Sequence, residues 1–390
     1  MPGMEASDYR PRIGLNAQLY SSELSYRGAG VSHYIHGLLN TLPKVDPDAR
    51  YVAFLNDPST SFEGWRTVRT HLPEAQPWRR ILWEQAAQPR LARRERLDLL
   101  HVPVYVGPLL APCPIVVTIH DMSYFIYPEL FQPAKRTYLQ AMTRFTARHA
   151  AAIICDSEST RRDVLRILDV PGERVHTVHI GVDPEMQPLP SQAIAEFRRD
   201  HQLPPHFILF VGTLEPRKNL PMLLEAFAWL CQHSQLPHQL VIGGGKGWYY
   251  QTIEQQVEKL GLRERVHFTG FIPQAELPLW YNSADLFVYP SLYEGFGLPP
   301  LEAMACGVPV ITSNISSLPE VVGEGGVMVD PHEPVSLARG MLHLLSDPAA
   351  SAELGRCGLA QARSFSWLNT ARQTAAIYHS ALGNRKVYEH

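Results

Sequence analysis

The chain has 390 residues, 45% apolar and 19% charged, enough to build ordinary packed cores in two domains of about 150–200 residues each. Its formal net charge of −3 offers no field for a nucleic-acid partner, and none is expected. No stretch is apolar over the roughly 18 residues that a membrane span needs, the start "MPGMEASDYRPRIGLNAQLY" lacks signal-peptide order, and the five cysteines are scattered with no C-x-x-C pair. A reduced, cytoplasmic protein without a zinc site is the expectation.

In chain order, short apolar or β-branched runs alternate with longer amphipathic ones. "RIGLNAQLY" precedes "VSHYIHGLLNTL", and "YVAFLN" and "LDLLHVP" come next. "PIVVTIHD" leads to "AKRTYLQAMTRFTARHA", "AAIICDS" to "STRRDVLRILDV", and "VHTVHIGV" ends the series. This rhythm predicts βα units around a mostly parallel sheet, hence a first α/β domain over residues 1–183. Residues 184–205 carry five prolines and one helical stretch, a linker pattern. The rhythm restarts with "HFILFVGTL" and runs through "VPVITS" and "VSLARGMLHLLSD", a second α/β domain over 206–365. Residues 366–390 add a last helix, periodic from Trp367 to Leu382, with no strand after it. Two doubly wound parallel-sheet domains then face each other across a cleft at the carboxyl ends of their strands, where such folds bind ligands.

The stretch "SLYEGFGLPPLEAMACGVPVIT" (291–312) holds most of the chemistry. A strand over 285–290 leads to a glycine turn at Gly295 and Gly297. Pro299 and Pro300 fit the first turn of a helix, where a missing N–H costs nothing, and Gly307 and Pro309 close it. The N–H groups between Gly295 and Glu302, with Phe296 and Leu298 among them, then face the cleft as an anion site for a phosphate. Glu302 beside that site invites the two hydroxyls of a ribose, and Glu294 meets whatever lies beyond the phosphates. The blander alternative, a helix-dipole partner and a surface acid, stays open for each. A glycosidase-like carboxylate pair fits less naturally, because a helix start intervenes.

In "FVGTLEPRKNLPMLLEAF" a strand turns into a helix with Asn219 as a candidate N-cap and Gly212 at the strand end. Arg217 and Lys218 sit at the positive end of that helix, which calls for an anion such as a diphosphate, unless both side chains point into solvent. Gly28 and Gly30 form a glycine turn before the first helix, near Tyr26 and Arg27, without full dinucleotide spacing. His120 and Asp121 end a buried strand at the cleft, where the imidazole can donate to a sugar hydroxyl or a backbone carbonyl. "FTGFIP" can offer backbone groups from Gly270, Phe271 and Ile272 to a nucleobase. No metal site is expected: the "DPD" at 46–48 reads as a turn, and no H-E-x-x-H, G-x-S-x-G or P-loop occurs.

These residues together resemble the retaining glycosyltransferases of family 4. The resemblance lies in "VGTLEPRKNL", "GGGK", and "FTGFIPQAELPLWYNSADLFVYPSLYEGFGLPPLEAMACGVPVITSN", with Glu294 and Glu302 meeting the E-x7-E pattern. It covers residues 206 to 330 well and the first domain more loosely, through Gly28 to Gly30, His120-Asp121 and "IICDSESTRRDV". It implies a GT-B fold of two facing Rossmann-like domains, with the terminal helix crossing back to the first. It also implies that Arg217 and Lys218 bind the donor diphosphate, that Glu302 holds the ribose, and that Glu294 with the backbone of Gly295 to Leu298 holds the sugar and phosphates. His120 would contact the transferred sugar, and the loop of Gly28 to Gly30 would close over diphosphate or acceptor. Such enzymes use a nucleotide-sugar co-substrate, no metal and no other cofactor.

Within the family the sequence is most similar to bacterial mannosyltransferases of surface-polysaccharide assembly, which points to GDP-mannose, with UDP-sugars the alternative. The acceptor is then a saccharide or lipid-linked hydroxyl. "QPWRRILWEQAAQPRLARRER", with Trp78, Trp83 and its arginines, can dock on an anionic bilayer at the inner face of the membrane, or simply cover the core. A non-catalytic nucleotide-sugar-binding subunit, an epimerase and a glycan phosphorylase are the rival readings. A phosphorylase needs a pyridoxal phosphate lysine, and none stands out among the six lysines.

Overall fold

A computed structural model describes residues 9–21, 29–56, 60–70, 77–245 and 249–383. Each half of the chain builds a wholly parallel sheet. The first contains β1 (Arg12–Ala17), β2 (Arg50–Leu55), β3 (Trp65–Arg69), β4 (Leu99–Val102), β5 (Ile115–Ile119), β6 (Ala152–Cys155) and β7 (Val175–Thr177), in the order β3-β2-β1-β4-β5-β6-β7. The second contains β8 (Phe207–Val211), β9 (Gln239–Gly243), β10 (Val266–Gly270), β11 (Leu286–Tyr289), β12 (Val310–Ser313) and β13 (Val327–Val329), in the order β10-β9-β8-β11-β12-β13. The strand order reverses beside β1 and again beside β8, and a crevice opens at the carboxyl ends at each reversal. Helices cover both faces of each sheet, which is why β5, β6, β11 and β12 are buried along their whole length and read as unbroken apolar runs.

The segment after the first sheet contains one helix, Ser191–Asp200, whose Phe197 packs edge-on against Trp280 at 5.5 Å between ring centroids. The last helix, Trp367–Gly383, leaves the second sheet and packs on the first-domain helix Ala29–Val45. Tyr378 meets Nδ1 of His101 at 2.6 Å, and His379 reaches Asp46 at 3.0 Å. Trp367 fills the space over Gly37 and Gly181, where any Cβ would collide with it. The chain therefore passes between the domains twice, and the two passages lie side by side, joined by a bridge between Val182 and Ser366. Paired crossings of this kind are where two rigid sheets can hinge.

Candidate active site

Between the facing strand ends lies a cleft of about 430 Å3. The first domain contributes Gly30, His33, Tyr105, His120, Asp121 and Asp156 to its lining. The second contributes Gly212, Arg217, Lys218, Glu294 through Pro299, and Glu302.

Glu294 is only 7% exposed, and its carboxylate is fully engaged. Oε1 accepts from Nζ of Lys218 at 2.5 Å and from the Ser291 hydroxyl at 2.6 Å, while Oε2 accepts from the Arg217 guanidinium at 3.1 Å. Burial alone would push this acid up, but Lys218 and Arg217 outweigh it and hold the carboxyl at about 2. Lys218 also donates to the Tyr289 hydroxyl at 2.6 Å, and burial lowers its ammonium pKa. Arg217 is shared with Glu215 at 2.5 Å. The two cations are therefore anchored by two carboxylates before any ligand arrives, not left bare or pointing into solvent. Asn219 occupies the position before the helix Leu220–His233, but it adopts a left-handed conformation and donates its amide to the Pro331 carbonyl at 2.8 Å, so its side chain does not cap the helix.

Beyond Glu294 the chain turns through Gly295 and Gly297 into the helix Leu298–Ala305, with the two prolines in its first turn as the sequence predicts. Gly297 has φ of 115°, and a Cβ on Gly295 would run into the His120 carbonyl oxygen across the cleft. Both positions therefore require glycine. Ser316 locks the turn by accepting from the Glu294 N–H at 3.1 Å and donating to the Glu294 carbonyl at 2.7 Å. Glu302, 6% exposed, projects from this helix and, among the described residues, accepts only from the Tyr281 hydroxyl, at 2.7 Å. Burial pushes its carboxyl up to about 7.

On the opposite wall, Nδ1 of His120 meets Asp156 at 2.6 Å and Nε2 meets the Pro103 carbonyl at 2.9 Å. The carbonyl can only accept, so Nε2 carries a proton. Burial opposes the charged ring, yet Asp156 and the carbonyl outweigh it and raise the pKa. His120 is thus held at both nitrogens, and it takes up the backbone-carbonyl option that the sequence left open.

Two family models match the chain: "Glycosyltransferase Family 4" over residues 28–186 and "Glycosyl transferases group 1" over residues 193–359. The chain belongs to the family 4 glycosyltransferases. It is 36% identical over 265 residues to O-antigen chain mannosyltransferase B of Escherichia coli, covering 67% of this chain and 69% of that one. It is also 36% identical over 273 residues to the serotype-specific mannosyltransferase WbdA of Escherichia coli, covering 67% of this chain but 32% of that longer one. Sucrose-phosphate synthase from Thermosynechococcus elongatus superposes with a TM-score of 0.77 at 23% identity, over 96% of this chain and 100% of that one. That likeness gives the fold, GT-B, in agreement with the sequence resemblance.

In this glycosyltransferase the two domains touch beside the cleft along a polar seam. The helix Glu158–Leu168 begins there, and Glu320 of the second domain accepts from its first two N–H groups, Glu158 at 2.8 Å and Ser159 at 3.0 Å. Ser157 and Thr160 donate to the Gly295 carbonyl at 2.5 and 3.0 Å.

Not every predicted site residue lines the cleft. Gly30 does, whereas Gly28 lies outside the described residues. Gly270, Phe271 and Ile272 do not line it: Phe271 is 43% exposed and Ile272 packs into the space over Gly243, leaving Gln274 and Leu277 as the nearest lining residues of that loop. Sequence reasoning missed Asp156, Tyr281 and Tyr289, the partners of His120, Glu302 and Lys218. The only signal for Asp156 was its place just after a predicted strand, in "IICDS".

Proposed function

We propose that this glycosyltransferase moves mannose from GDP-mannose to a hydroxyl of a saccharide or lipid-linked acceptor, with retention of configuration and without a metal, in surface-polysaccharide synthesis. The observation that carries the transfer reading is the buried cluster of Lys218, Arg217 and Glu294 at the edge of a nucleotide-sized cleft. Its cations are already desolvated and fixed where a leaving diphosphate gathers charge, so little reorganisation is needed as the bond breaks. The choice of mannose rests on the two Escherichia coli mannosyltransferases.

In this reading Glu302 accepts the ribose hydroxyls. The diphosphate lies at the Gly295 to Leu298 turn and the helix start behind it, next to Arg217 and Lys218. The acceptor oxygen bonds to the anomeric carbon on the face that the diphosphate leaves, the carbon–phosphate-oxygen bond breaks, and the acceptor proton passes to the departing phosphate oxygen. The His120 imidazole is held by Asp156 and the Pro103 carbonyl on the opposite wall, where Asp156 favours its charged form, and with both nitrogens engaged it is not a free base.

The test is nucleoside-diphosphate release from a panel of GDP- and UDP-sugars, with and without EDTA, alongside Glu294→Ala and Lys218→Ala. The expected result is consumption of GDP-mannose, indifference of turnover to EDTA and near-silent variants. Preference for a UDP-sugar overturns the donor, and turnover lost to EDTA with the thermal midpoint unchanged overturns the metal-free chemistry. Nucleotide binding without turnover on any saccharide acceptor favours the binding-subunit alternative.

We further propose that the first domain rests on an anionic membrane. Trp78 (56% exposed), Leu82, Leu109 and Leu110 present large apolar side chains beside Arg79, and the Leu109 N–H ties its loop to Gln85 at 2.9 Å. Trp83 faces inward against Phe54 and belongs to the core. No described helix is long and apolar enough to cross a membrane, so attachment would be peripheral. Co-flotation with phosphatidylglycerol vesicles, lost in Trp78→Ala/Leu110→Ala, is the expected outcome, and absence of flotation removes the idea.

A further inference from the structure

The second sheet has a polar cluster at the end away from the cleft. His206, His238 and Asp285 each stand immediately before a strand, β8, β9 and β11 respectively. Those three strands are neighbours, with Phe207 in register with Gln239, and Ile208 with Leu286. Residues 32 to 79 positions apart in sequence are thereby brought into one row.

Their candidate donor atoms lie within 4.8 Å of one another. Nδ1 of His206 is 3.4 Å and Nε2 of His238 is 3.6 Å from Oδ2 of Asp285. These separations are long for hydrogen bonds but match a different geometry. A tetrahedral ion with bonds of about 2.0–2.2 Å holds its ligand atoms about 3.3–3.6 Å apart. His238 is 7% exposed, and its Nε2, the nitrogen turned towards the cluster, comes no closer to Oδ2 of Asp285 than 3.6 Å, a gap that an ion between them would fill. Nδ1, on the other side of the ring, is buried without a partner and takes no part in the site.

We propose that His206, His238 and Asp285 form a binding site for a divalent transition-metal ion of the Zn2+ class, which pins the entry ends of β8, β9 and β11. The fourth position faces solvent beside His206, half-exposed at its side chain. Two imidazoles and one carboxylate suit Zn2+, Co2+ or Ni2+ better than Ca2+ or Mg2+, which prefer all-oxygen cages. Arg265, which donates to the carbonyls of Leu236 and His238 at 3.0 and 2.6 Å, puts a positive charge nearby that any dication bound here must overcome. The role is structural, because the cleft lies at the other ends of these strands.

The experiment uses untagged full-length protein, stripped with EDTA and dialysed, then titrated with Zn2+ by calorimetry, with Co2+ absorption as a second probe. One equivalent of Zn2+ is expected, with a higher thermal midpoint. His206→Gln, an exposed change that leaves the core intact, should weaken binding by at least the tenfold that loss of an outer-sphere partner alone can cost, and His206→Gln/His238→Gln should abolish both the heat and the Co2+ ligand-field bands. Zn2+ affinity unchanged in His206→Gln would assign the binding to others among the 17 histidines and overturn the site, as would no binding by the wild type. Failure here is separable from failure of the transferase reading, which is scored on turnover.

Discussion

Glu294 and Glu302 stand eight positions apart, almost equally buried, at the two ends of one glycine turn, yet they behave as different groups. Glu294 faces the junction after β8, which supplies Lys218 and Arg217, and it is held at about 2. Glu302 faces the helix Leu277–Ser283, which supplies only the Tyr281 hydroxyl, and burial carries it to about 7. The element opposite, and not the residue type or the depth, decides which carboxyl is a fixed charge and which changes charge near neutrality. A donor can exploit both: the fixed triad meets charge that develops, and the soft carboxyl meets hydroxyls that donate to its ionised form.

The strongest way to break this comparison is to neutralise its fixed half. Glu294→Gln leaves Lys218 and Arg217 buried without their shared counter-ion. Losing one partner of a buried pair should cost about 3–5 kcal/mol in denaturant unfolding. Turnover should fall by about 100-fold or more if the triad preorganises the leaving-group site. Wild-type turnover in a destabilised variant would confine Glu294 to the fold. The acid limb carries the sign: the native carboxyl lies below its ordinary value of 4.5, so its stabilisation is complete above that pH and fades as pH falls towards about 2. Glu294→Gln should flatten that limb.

Glu302 has the opposite sign. Its native carboxyl lies above 4.5, so stability from this group is complete below that pH and is lost as pH rises to about 7. A ribose that donates to the carboxylate binds the ionised form, so GDP affinity should weaken as pH drops below about 7, by up to about tenfold per unit. Glu302→Gln should lose about tenfold in affinity at pH 8 and much of the pH dependence. Calorimetric titrations at pH 6, 7 and 8 measure both, and a variant profile parallel to the wild type would sink the ribose assignment.

The sequence made the sheets legible because parallel strands buried on both faces are plain apolar runs, as in "PIVVTIHD" and "DLFVYPS". It also made the turn at Gly295 and Gly297 legible, since a left-handed φ and a close backbone approach leave glycine as the residue that fits. The partners were not legible. Asp156 reaches His120 from 36 positions away, Tyr289 reaches Lys218 from 71, and Tyr281 reaches Glu302 from 21, on a different helix. Each pairing depends on which strands, or the helices that follow them, are adjacent, and the alternation of βα units does not by itself order the strands. The row of His206, His238 and Asp285 was hidden for the same reason.

A smaller effect is expected at the seam. Glu320→Ala removes the acceptor for two N–H groups at the start of the helix Glu158–Leu168, where Ser157 still caps Thr160 at 3.0 Å. Loss of one cap costs about 0.5–2 kcal/mol, seen as a lower thermal midpoint. Donor affinity should stay within threefold, because Glu320 does not line the cleft, and a larger change would show that this contact governs how the domains close.

The smallest effect is expected at Phe271. The turn from Gly270 to Ile272 can serve a nucleobase only through its backbone, since the Phe271 side chain is exposed, the Ile272 side chain is committed to the space over Gly243, and neither lines the cleft. Gly270 already spends its carbonyl on the Gly244 N–H at 2.7 Å, with φ of 76°, so the turn keeps its shape whatever the next side chain is. Phe271→Ala should therefore change stability by less than about 0.5 kcal/mol, as exposed substitutions do, and leave GDP affinity within about twofold by the same reasoning. A tenfold loss would mean that the aromatic ring swings over the bound base, and the donor pocket would then extend beyond the cleft of about 430 Å3.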